Sequence, residues 1–498
     1  MREDSLKKRY SIKLFASIIS GIIGAILIAI VPNALGPVAY GQFVYLQDFF
    51  AKTIGFLDMG SSIAFFTKLS ADHKRKELIT FYFVYALIVL LSISLFIWGI
   101  YYFGYTSSLI PDIPSNYIYL GLIYGFLMWI TQIFMKISDS YALTVSVELI
   151  KIVHKLLSLL LLVSFVFLTA FDLEKYFYFH YISLFSFLFI LIWLFVKKGI
   201  FKNILNFEFS IPALSKEFVA YCSPLVSYSI LGVGVGLFDI WLLQKMAGSI
   251  QTGFYGLAYS IAAICFLFTS AMTPIITREF AKAYGEDDLK KMRQLFVRYI
   301  PMLYAIAAYF GIFISFQSEN LLSIFTDEKF KDAYLVLVVM ALYPLHQTYG
   351  QLSGSIFYAT GQTKRLRNIS FIAQPIGMLL SFVFLYLLDY GAVGLALKVI
   401  IGQWIGVNIE LYYNAKFLDF KMKYFIKHQI YTMLFFMVLS FIASQTIHLD
   451  SSFLSFLFSG MLYTILVIIF TYIFPQVFAT NREEIKHYIS RVMHVIKK

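Results

Sequence analysis

Apolar stretches of about twenty residues recur along this chain, and the short loops between them collect lysine and arginine. A segment of that length crosses the ~30 Å hydrocarbon layer as a helix, at ~1.5 Å per residue. The runs are continuous rather than alternating, which selects helices over the strands of a barrel. They predict fourteen helices, at 12–32, 41–66, 79–103, 117–137, 146–170, 177–196, 217–243, 253–277, 298–316, 333–359, 368–388, 391–414, 428–446 and 453–474. Composition closes the alternative of a soluble fold. With 60% hydrophobic and 14% charged residues, the chain lacks the polar shell that water demands.

The loops orient the spans. With the N-terminus inside, 32 of the 40 basic residues fall in cytoplasmic segments. Lys175, Lys245, Lys329 and Lys331 fall outside, and Lys52, Lys151, Lys155 and Lys398 fall within spans. Both termini are therefore expected in the cytoplasm. The net charge of +12 reads as an orientation and anionic-lipid signal and calls for no nucleic acid. Cys222 and Cys265 both sit in apolar runs, which rules out a disulfide framework or a cysteine-rich metal site. The histidines show no metal-binding spacing, so neither metal nor cofactor is expected. The basic start leads into an apolar run too long for a cleaved signal, so the first span is expected to stay.

The basic loop near Lys197–Lys216 divides the chain. We expect an N-terminal six-helix lobe (1–200), a linker (201–216) and a C-terminal six-helix lobe (217–415). Two added spans (416–476) and a cytoplasmic amphipathic tail (477–498) follow. Ala39-Tyr40-Gly41 and Phe254-Tyr255-Gly256 enter spans two and eight at corresponding places, each span ending in a basic loop. Six is even, so the two lobes are related by a pseudo-two-fold along the membrane normal, a transporter arrangement. The expected fold class is thus an all-α polytopic membrane protein. In the tail, Ile485, Tyr488, Ile489, Val492 and Ile496 fall on one helical face, opposite Arg482, Lys486, Arg491 and Lys497.

The stretches Leu35-Gly36-Pro37-Val38-Ala39-Tyr40-Gly41 and Leu57-Asp58-Met59-Gly60 resemble the first hairpin of Wzx-type polysaccharide flippases. These belong to the multidrug/oligosaccharidyl-lipid/polysaccharide exporter superfamily. Pro224, Asp239, Gly253-Phe254-Tyr255-Gly256, Thr273-Pro274 and Tyr358-Ala359-Thr360-Gly361-Gln362-Thr363-Lys364 extend the likeness over nearly the whole chain. Each motif is short; the pattern is what is specific. The resemblance implies a bacterial inner-membrane flippase for undecaprenyl-pyrophosphate-linked oligosaccharide, serving O-antigen, capsule or exopolysaccharide assembly. A polysaccharide polymerase and a chain-length regulator would be its partners.

Charges inside the membrane each need a reason, since one costs at least ~2.5 kcal/mol there. Lys52 lies near mid-span, where it would meet the carrier pyrophosphate or pair with Asp48, one turn before it. Lys398 has no acid nearby in its own helix and either holds a phosphate or pairs across helices. Lys151 and Lys155 share a face with Glu148 and read as a snorkelling basic end or as an entrance ring for a headgroup. Asp58, Asp239 and Glu410, with Asp48, are candidates for ion coupling or for pairing. Gly232, Gly234 and Gly236 form no dinucleotide motif, because no strand precedes them. Gly232 and Gly236 permit close helix packing or a hinge in span seven. The GxxxG spacing returns at Gly350/Gly354 and Gly402/Gly406.

Two other functions compete. A multidrug extruder of the same superfamily would want buried carboxylates for cationic cargo, whereas Lys52 and Lys398 favour an anionic one. A polymerase or glycosyltransferase would bring a large outer loop or an acidic metal motif, and neither is present, so no enzyme is expected.

Overall fold

The computed structural model describes residues 6–72, 74–141, 143–202, 210–270, 272–485 and 487. The chain is all helical among them, and eleven helices are long and apolar enough to cross a membrane. Two of these are double-length. Helix α1 (Leu6–Asp58) breaks at Gly36, whose φ of 73° lies outside helical space, and Pro37 follows at once. Helix α8 (Ile211–Ser270) breaks the same way at Gly248, also at φ 73°. The expected span 333–359 is the pair α12 (Tyr334–Met340) and α13 (Tyr343–Ala359), each too short to count alone. Taking each broken helix as two and this pair as one returns fourteen segments.

The remaining elements follow in order: α2 (Ser61–Ala71), α3 (Glu77–Tyr102), α4 (Thr106–Leu109), α5 (Ser115–Ser140), α6 (Thr144–Leu168) and α7 (Leu173–Lys197). After α8 come α9 (Thr273–Gly285), α10 (Leu289–Phe316), α11 (Ser318–Phe325), α14 (Thr363–Ser381), α15 (Gly391–Leu418), α16 (Met422–Thr446) and α17 (Ser452–Ile473). Span two does not run to residue 66 as expected. Met59 and Gly60 take positive φ of 45° and 82°, which ends α1 at Asp58 and starts a separate helix. The linker residues 203–209, and of the amphipathic tail residue 486 and everything beyond 487, lie outside the described residues.

Contacts divide the chain into two compact units, 1–253 with 385–391 and 254–384 with 392–498. In the first, α1 packs on α5 and α6, and α7 on α5. Its interior is built from fully buried Phe65, Tyr82, Ile137, Val147, Leu191 and Phe195. In the second, α10 packs on α13 and α16, around Phe280, Phe296, Tyr304, Leu345, Ile356 and Phe436. This division falls inside α8, between Gly253 and Phe254.

A close backbone approach in the first unit joins its two broken helices. A Cβ on Gly41 would lie 1.7 Å from the Ser249 carbonyl oxygen, and one on Gly253 would lie 2.5 Å from that of Pro37. The contact is reciprocal. Gly41 and Gly253 stand at the same spacing beyond the breaks at Gly36 and Gly248. Backbones this close exclude any side chain. Gly41→Ala or Gly253→Ala is expected to cost at least about 1–3 kcal/mol, the range for overpacking. Thermal unfolding of the purified protein measures it. Gly55→Ala, where a Cβ meets nothing within 4 Å, is the matched control with no loss.

Candidate functional site

Lys52 lies in the second half of α1, within the membrane-crossing segment. Its ammonium donates to the Asp48 carboxylate, one turn earlier, and to the Gly236 carbonyl of α8 at 2.8 Å. Both partners of the ion pair keep about a third of their side chains exposed, 29% for Lys52 and 36% for Asp48. The pairing is local, as helical spacing allows, and it also ties α1 to α8. Gly236 is glycine for a reason the sequence did not show: a Cβ there would sit 2.9 Å from Lys52 Cε. Its missing side chain admits the lysine, not a neighbouring helix. A Cβ on Gly232 or Gly234 meets nothing within 4 Å, and α8 runs unbroken through all three. The sharp break in α8 sits at Gly248.

Beside this pair is an apolar groove of about 370 Å³. Phe49, Thr53 and Phe56 of α1 form one wall, and Gly234, Phe238 and Trp241 of α8 another. Phe96 and Ile100 of α3 complete it, with Leu109 at one end. The segment carrying Leu109 is strapped to the two broken helices by side chains that donate to its carbonyls. Trp241 Nε1 reaches Ser108 at 2.9 Å, Tyr45 reaches Leu109 at 3.1 Å, and Gln42 reaches Asp112 at 3.1 Å. Asp112 in turn accepts from the backbone N–H of Ser249 at 3.0 Å and its hydroxyl at 2.6 Å. It thereby caps the helix that restarts after Gly248. Sequence reading missed Asp112, because a cap supplied from a distant loop leaves no local pattern.

The other expected site residues are dispersed. Asp58 caps α2: its carboxylate accepts from Ser61 at 2.8 Å, from the Ser62 N–H at 3.1 Å and hydroxyl at 2.8 Å, and from Tyr82 at 2.7 Å. Lys136, at the end of α5, donates to the same Ser62 hydroxyl. That lysine was missed, since it closes an expected span and counts there as a boundary charge. Lys151 pairs with buried Glu148 at 3.4 Å, while Lys155 lies half-buried one turn on. Asp239 is buried in α8. In the second unit Lys398 is buried against Gly377, where a Cβ would meet its Cε at 3.3 Å. Glu410 faces Gly354, and a Cβ there would lie 3.7 and 3.8 Å from its two oxygens. Among the described residues nothing hydrogen-bonds Glu410 Oε2, although that atom is buried. Gly350 opposes Val407, so the GxxxG pair of α13 brings it against α15. Among the described residues no three His, Cys, Asp or Glu side chains group as metal ligands, and Cys222 and Cys265 are free and buried.

Charge also gathers beyond the crossing segments. Glu217 accepts both Arg75 Nη groups at 3.0 Å and Lys68 at 2.7 Å, and Arg75 Nε reaches Glu77 at 3.0 Å. The bond from Glu217 leads in raising the Arg75 guanidinium above its ordinary value, with that from Glu77 adding to it. This bidentate cluster joins α2, the α2–α3 connection and the start of α8.

Breaking the Lys52–Asp48 pair from one side leaves a half-buried charge alone. Lys52→Met is expected to lower stability by about 1–2 kcal/mol, below the cost for a fully buried pair because both side chains are partly wet. Adding Asp48→Asn should recover part of the loss. A double-mutant cycle on thermal unfolding in detergent checks it, and strict additivity would show that the pair is not coupled.

Residues 224–383 match the family model MatE. No curated protein matches the sequence. Solved structures do. The chain is similar to an inward-facing conformation of a multidrug resistance MATE family transporter of the MOP superfamily, at 16% identity and a TM-score of 0.60. That match covers 84% of this chain and 95% of the other. An outward-facing conformation of a transporter described in the same terms matches at 17% identity, 82% and 94% coverage, and a TM-score of 0.55. A MOP superfamily transporter from Pyrococcus furiosus Vc1 (DSM3638), described as having a binding pocket of reverse polarity, matches at 16% identity, 83% and 93% coverage, and 0.50. The chain thus carries a MatE segment and shares the fold of MATE transporters of the MOP superfamily.

Proposed function

We propose that this protein is a membrane transporter that works by alternating access and performs no covalent step. The observation that carries the reading is that one fold, solved in inward-facing and in outward-facing conformations, matches over more than four fifths of the chain. The same sequence architecture is thereby compatible with a cavity opened to either side. We place both termini in the cytoplasm on the strength of the lysine and arginine distribution, and the protein in a bacterial inner membrane on the resemblance to polysaccharide flippases.

For the cargo, the relatives favour a small organic compound, since two of them are described as multidrug resistance transporters. A second reading rests on this chain's own residues. Lys398 is buried in α15, within a crossing segment, and Lys52 keeps an exposed fraction beside Gly236. Cations held inside a membrane suit an anionic cargo, such as an undecaprenyl-pyrophosphate-linked oligosaccharide. The P. furiosus relative, with its reverse-polarity pocket, supports the view that this fold does not fix the sign of what it carries. Under the second reading the lobes 1–200 and 217–415 enclose the headgroup, Lys151 and Lys155 attract it at the entrance, and a polymerase with a chain-length regulator takes the product.

Ion coupling, in this proposal, belongs to Glu410. Asp48 is engaged by Lys52 and Asp58 by its helix cap, whereas Glu410 has a buried oxygen with no protein partner among the described residues. Glu410→Gln is expected to leave a folded protein whose transport no longer responds to a proton or sodium gradient. Unchanged gradient dependence in proteoliposomes would remove Glu410 from that role.

A deletion strain decides between the cargoes. Loss of surface polysaccharide, with single repeat units retained on the inner leaflet and restored by wild type but not by Lys52→Ala at equal protein level, is the expected result for the lipid-linked reading. Normal polysaccharide with heightened sensitivity to toxic organic compounds assigns the protein to drug export. A strain unchanged in both would overturn the transport reading as stated.

A further inference from the structure

We propose that the interior of the second unit, between α10, α13, α15 and α16, holds a file of ordered water molecules running from Glu410 to His428, and that this file passes protons between the carboxyl group and the cytoplasmic side. This rests on the coupling role given to Glu410 and deepens it, supplying the path by which a proton reaches and leaves that residue. Each passage moves one proton. Glu410 gives it to the adjoining water, every water accepts one and hands one on, and the last is released to cytoplasmic water, with no group oxidised or reduced.

The four helices bury more hydrogen-bonding atoms than they satisfy. Among the described residues, the buried atoms with no protein partner include Tyr304 Oη, His346 Nδ1, Gln403 Oε1, Glu410 Oε2, Asn414 Oδ1 and Gln429 Oε1. The three amide oxygens belong to side chains whose NH2 groups are already spent. Asn414 donates to the Ser353 carbonyl at 3.0 Å and hydroxyl at 2.8 Å, Gln403 to Gln347 at 2.7 Å, and Gln429 to Asn408 at 3.4 Å. With Glu410 Oε2 they make a surplus of acceptors, which only a donor satisfies. Pro301 adds to it, since a buried proline inside α10 offers no N–H to the Val297 carbonyl one turn before it. Folded proteins satisfy such atoms with enclosed water, each molecule holding about two to four polar partners.

The atoms form a line. Glu410 and Asn414 of α15 face Gly354 and Ser353 of α13, and the missing side chain of Gly354 leaves room beside the carboxylate. Tyr349 stands one turn before Ser353, and its ring centre lies 5.7 Å from that of Tyr304. Tyr304 in turn lies 6.1 Å from the His346 ring and 6.4 Å from the His428 ring. His428, in the first two turns of α16, bonds the Val477 carbonyl at 2.9 Å, so the line ends at the turn that follows α17. The lysine and arginine distribution places that end at the cytoplasmic side. Glu410, Tyr304, His346, Tyr349 and His428 are the titratable groups along it. A cation would need its ligands gathered at one point, and among the described residues no three His, Cys, Asp or Glu side chains are grouped. In the first unit the buried atoms without partners, Ser138 Oγ, His180 Nε2 and Gln244 Oε1, sit singly on α5, α7 and α8 and make no such line.

The test uses the full-length protein in nanodiscs. X-ray hydroxyl-radical footprinting in heavy-oxygen water marks side chains that lie beside bound water, even where bulk solvent is excluded. The expected result is labelling of Tyr304, Tyr349 and His428 at rates near that of exposed Tyr102. Tyr463, as buried as Tyr349 but with its hydroxyl engaged by the Tyr309 carbonyl, should stay unlabelled. A pH jump followed by infrared difference spectroscopy reads proton passage. A carboxyl band absent from Glu410→Gln should rise about tenfold more slowly in Gln429→Leu than in wild type, the factor one lost hydrogen bond supplies. Tyr304→Phe, a smaller change of shape, should slow it too and keeps the test open if Gln429→Leu misfolds. Unlabelled Tyr304 and Tyr349 would overturn the file, and labelling that sodium suppresses but potassium does not would replace it with a cation site. A band that rises as fast in both variants as in wild type, or no band that depends on Glu410, would overturn proton passage. The coupling reading is tested apart from this, by the gradient dependence of transport in Glu410→Gln. Dependence retained there, with labelling and the slowed band as expected, refutes only the coupling role.

Discussion

A backbone inside a bilayer has no water to satisfy its N–H and C=O groups, and the rest of this structure follows from that constraint. It makes every described crossing element a helix, and it makes every break in a helix a local problem. The chain breaks helices at Gly36, at Met59–Gly60 and at Gly248. At two of these an aspartate takes up a freed backbone donor: Asp58 the N–H of Ser62, and Asp112 the N–H of Ser249. Carboxylates that look like functional charges in a hydrophobic sequence are, at these positions, part of the helical framework.

The same constraint explains why charge and function are hard to separate here. A charge in hydrocarbon must be paired, capping or cavity-facing. Asp58 and Asp112 cap; Asp48 and Lys52 pair and remain partly exposed. Glu410 alone among the four acids named from sequence keeps a buried oxygen without a protein partner among the described residues, which is why it carries the coupling proposal. Glycines divide in a similar way. Gly41 and Gly253 exist so that two backbones can touch, Gly236 so that a lysine can pass, and Gly234 borders an open groove.

The broken helices join these roles. Gly36 and Gly248 share the same φ, and the same spacing beyond each leads to the reciprocal contact between Gly41 and Gly253. Farther along α1 and earlier along α8, Lys52 ties those two helices again at the Gly236 carbonyl. The groove flanks the lysine tie, with wall residues on both sides of Lys52 in α1 and of Gly236 in α8. A change in how α1 meets α8 would therefore be felt at the lysine, the groove and the Asp112 cap together.

The number and placement of the crossing segments were determined by the sequence alone, because continuous apolar length is a one-dimensional property that hydrocarbon thickness reads directly. The Lys52–Asp48 pairing was legible for the same reason, as an i,i+4 relation within one helix. What only the tertiary structure decided are the relations between distant segments: Lys52 with Gly236, Asp112 with Ser249, Gly41 with Gly253, and the opening beside Gly234. Glycine repeats gave no warning that Gly236 serves a lysine while Gly248 bends the helix, since a missing side chain records that space is needed and not what fills it. Those identities depend on which backbone the packing brings opposite, and that is fixed only when the helices meet.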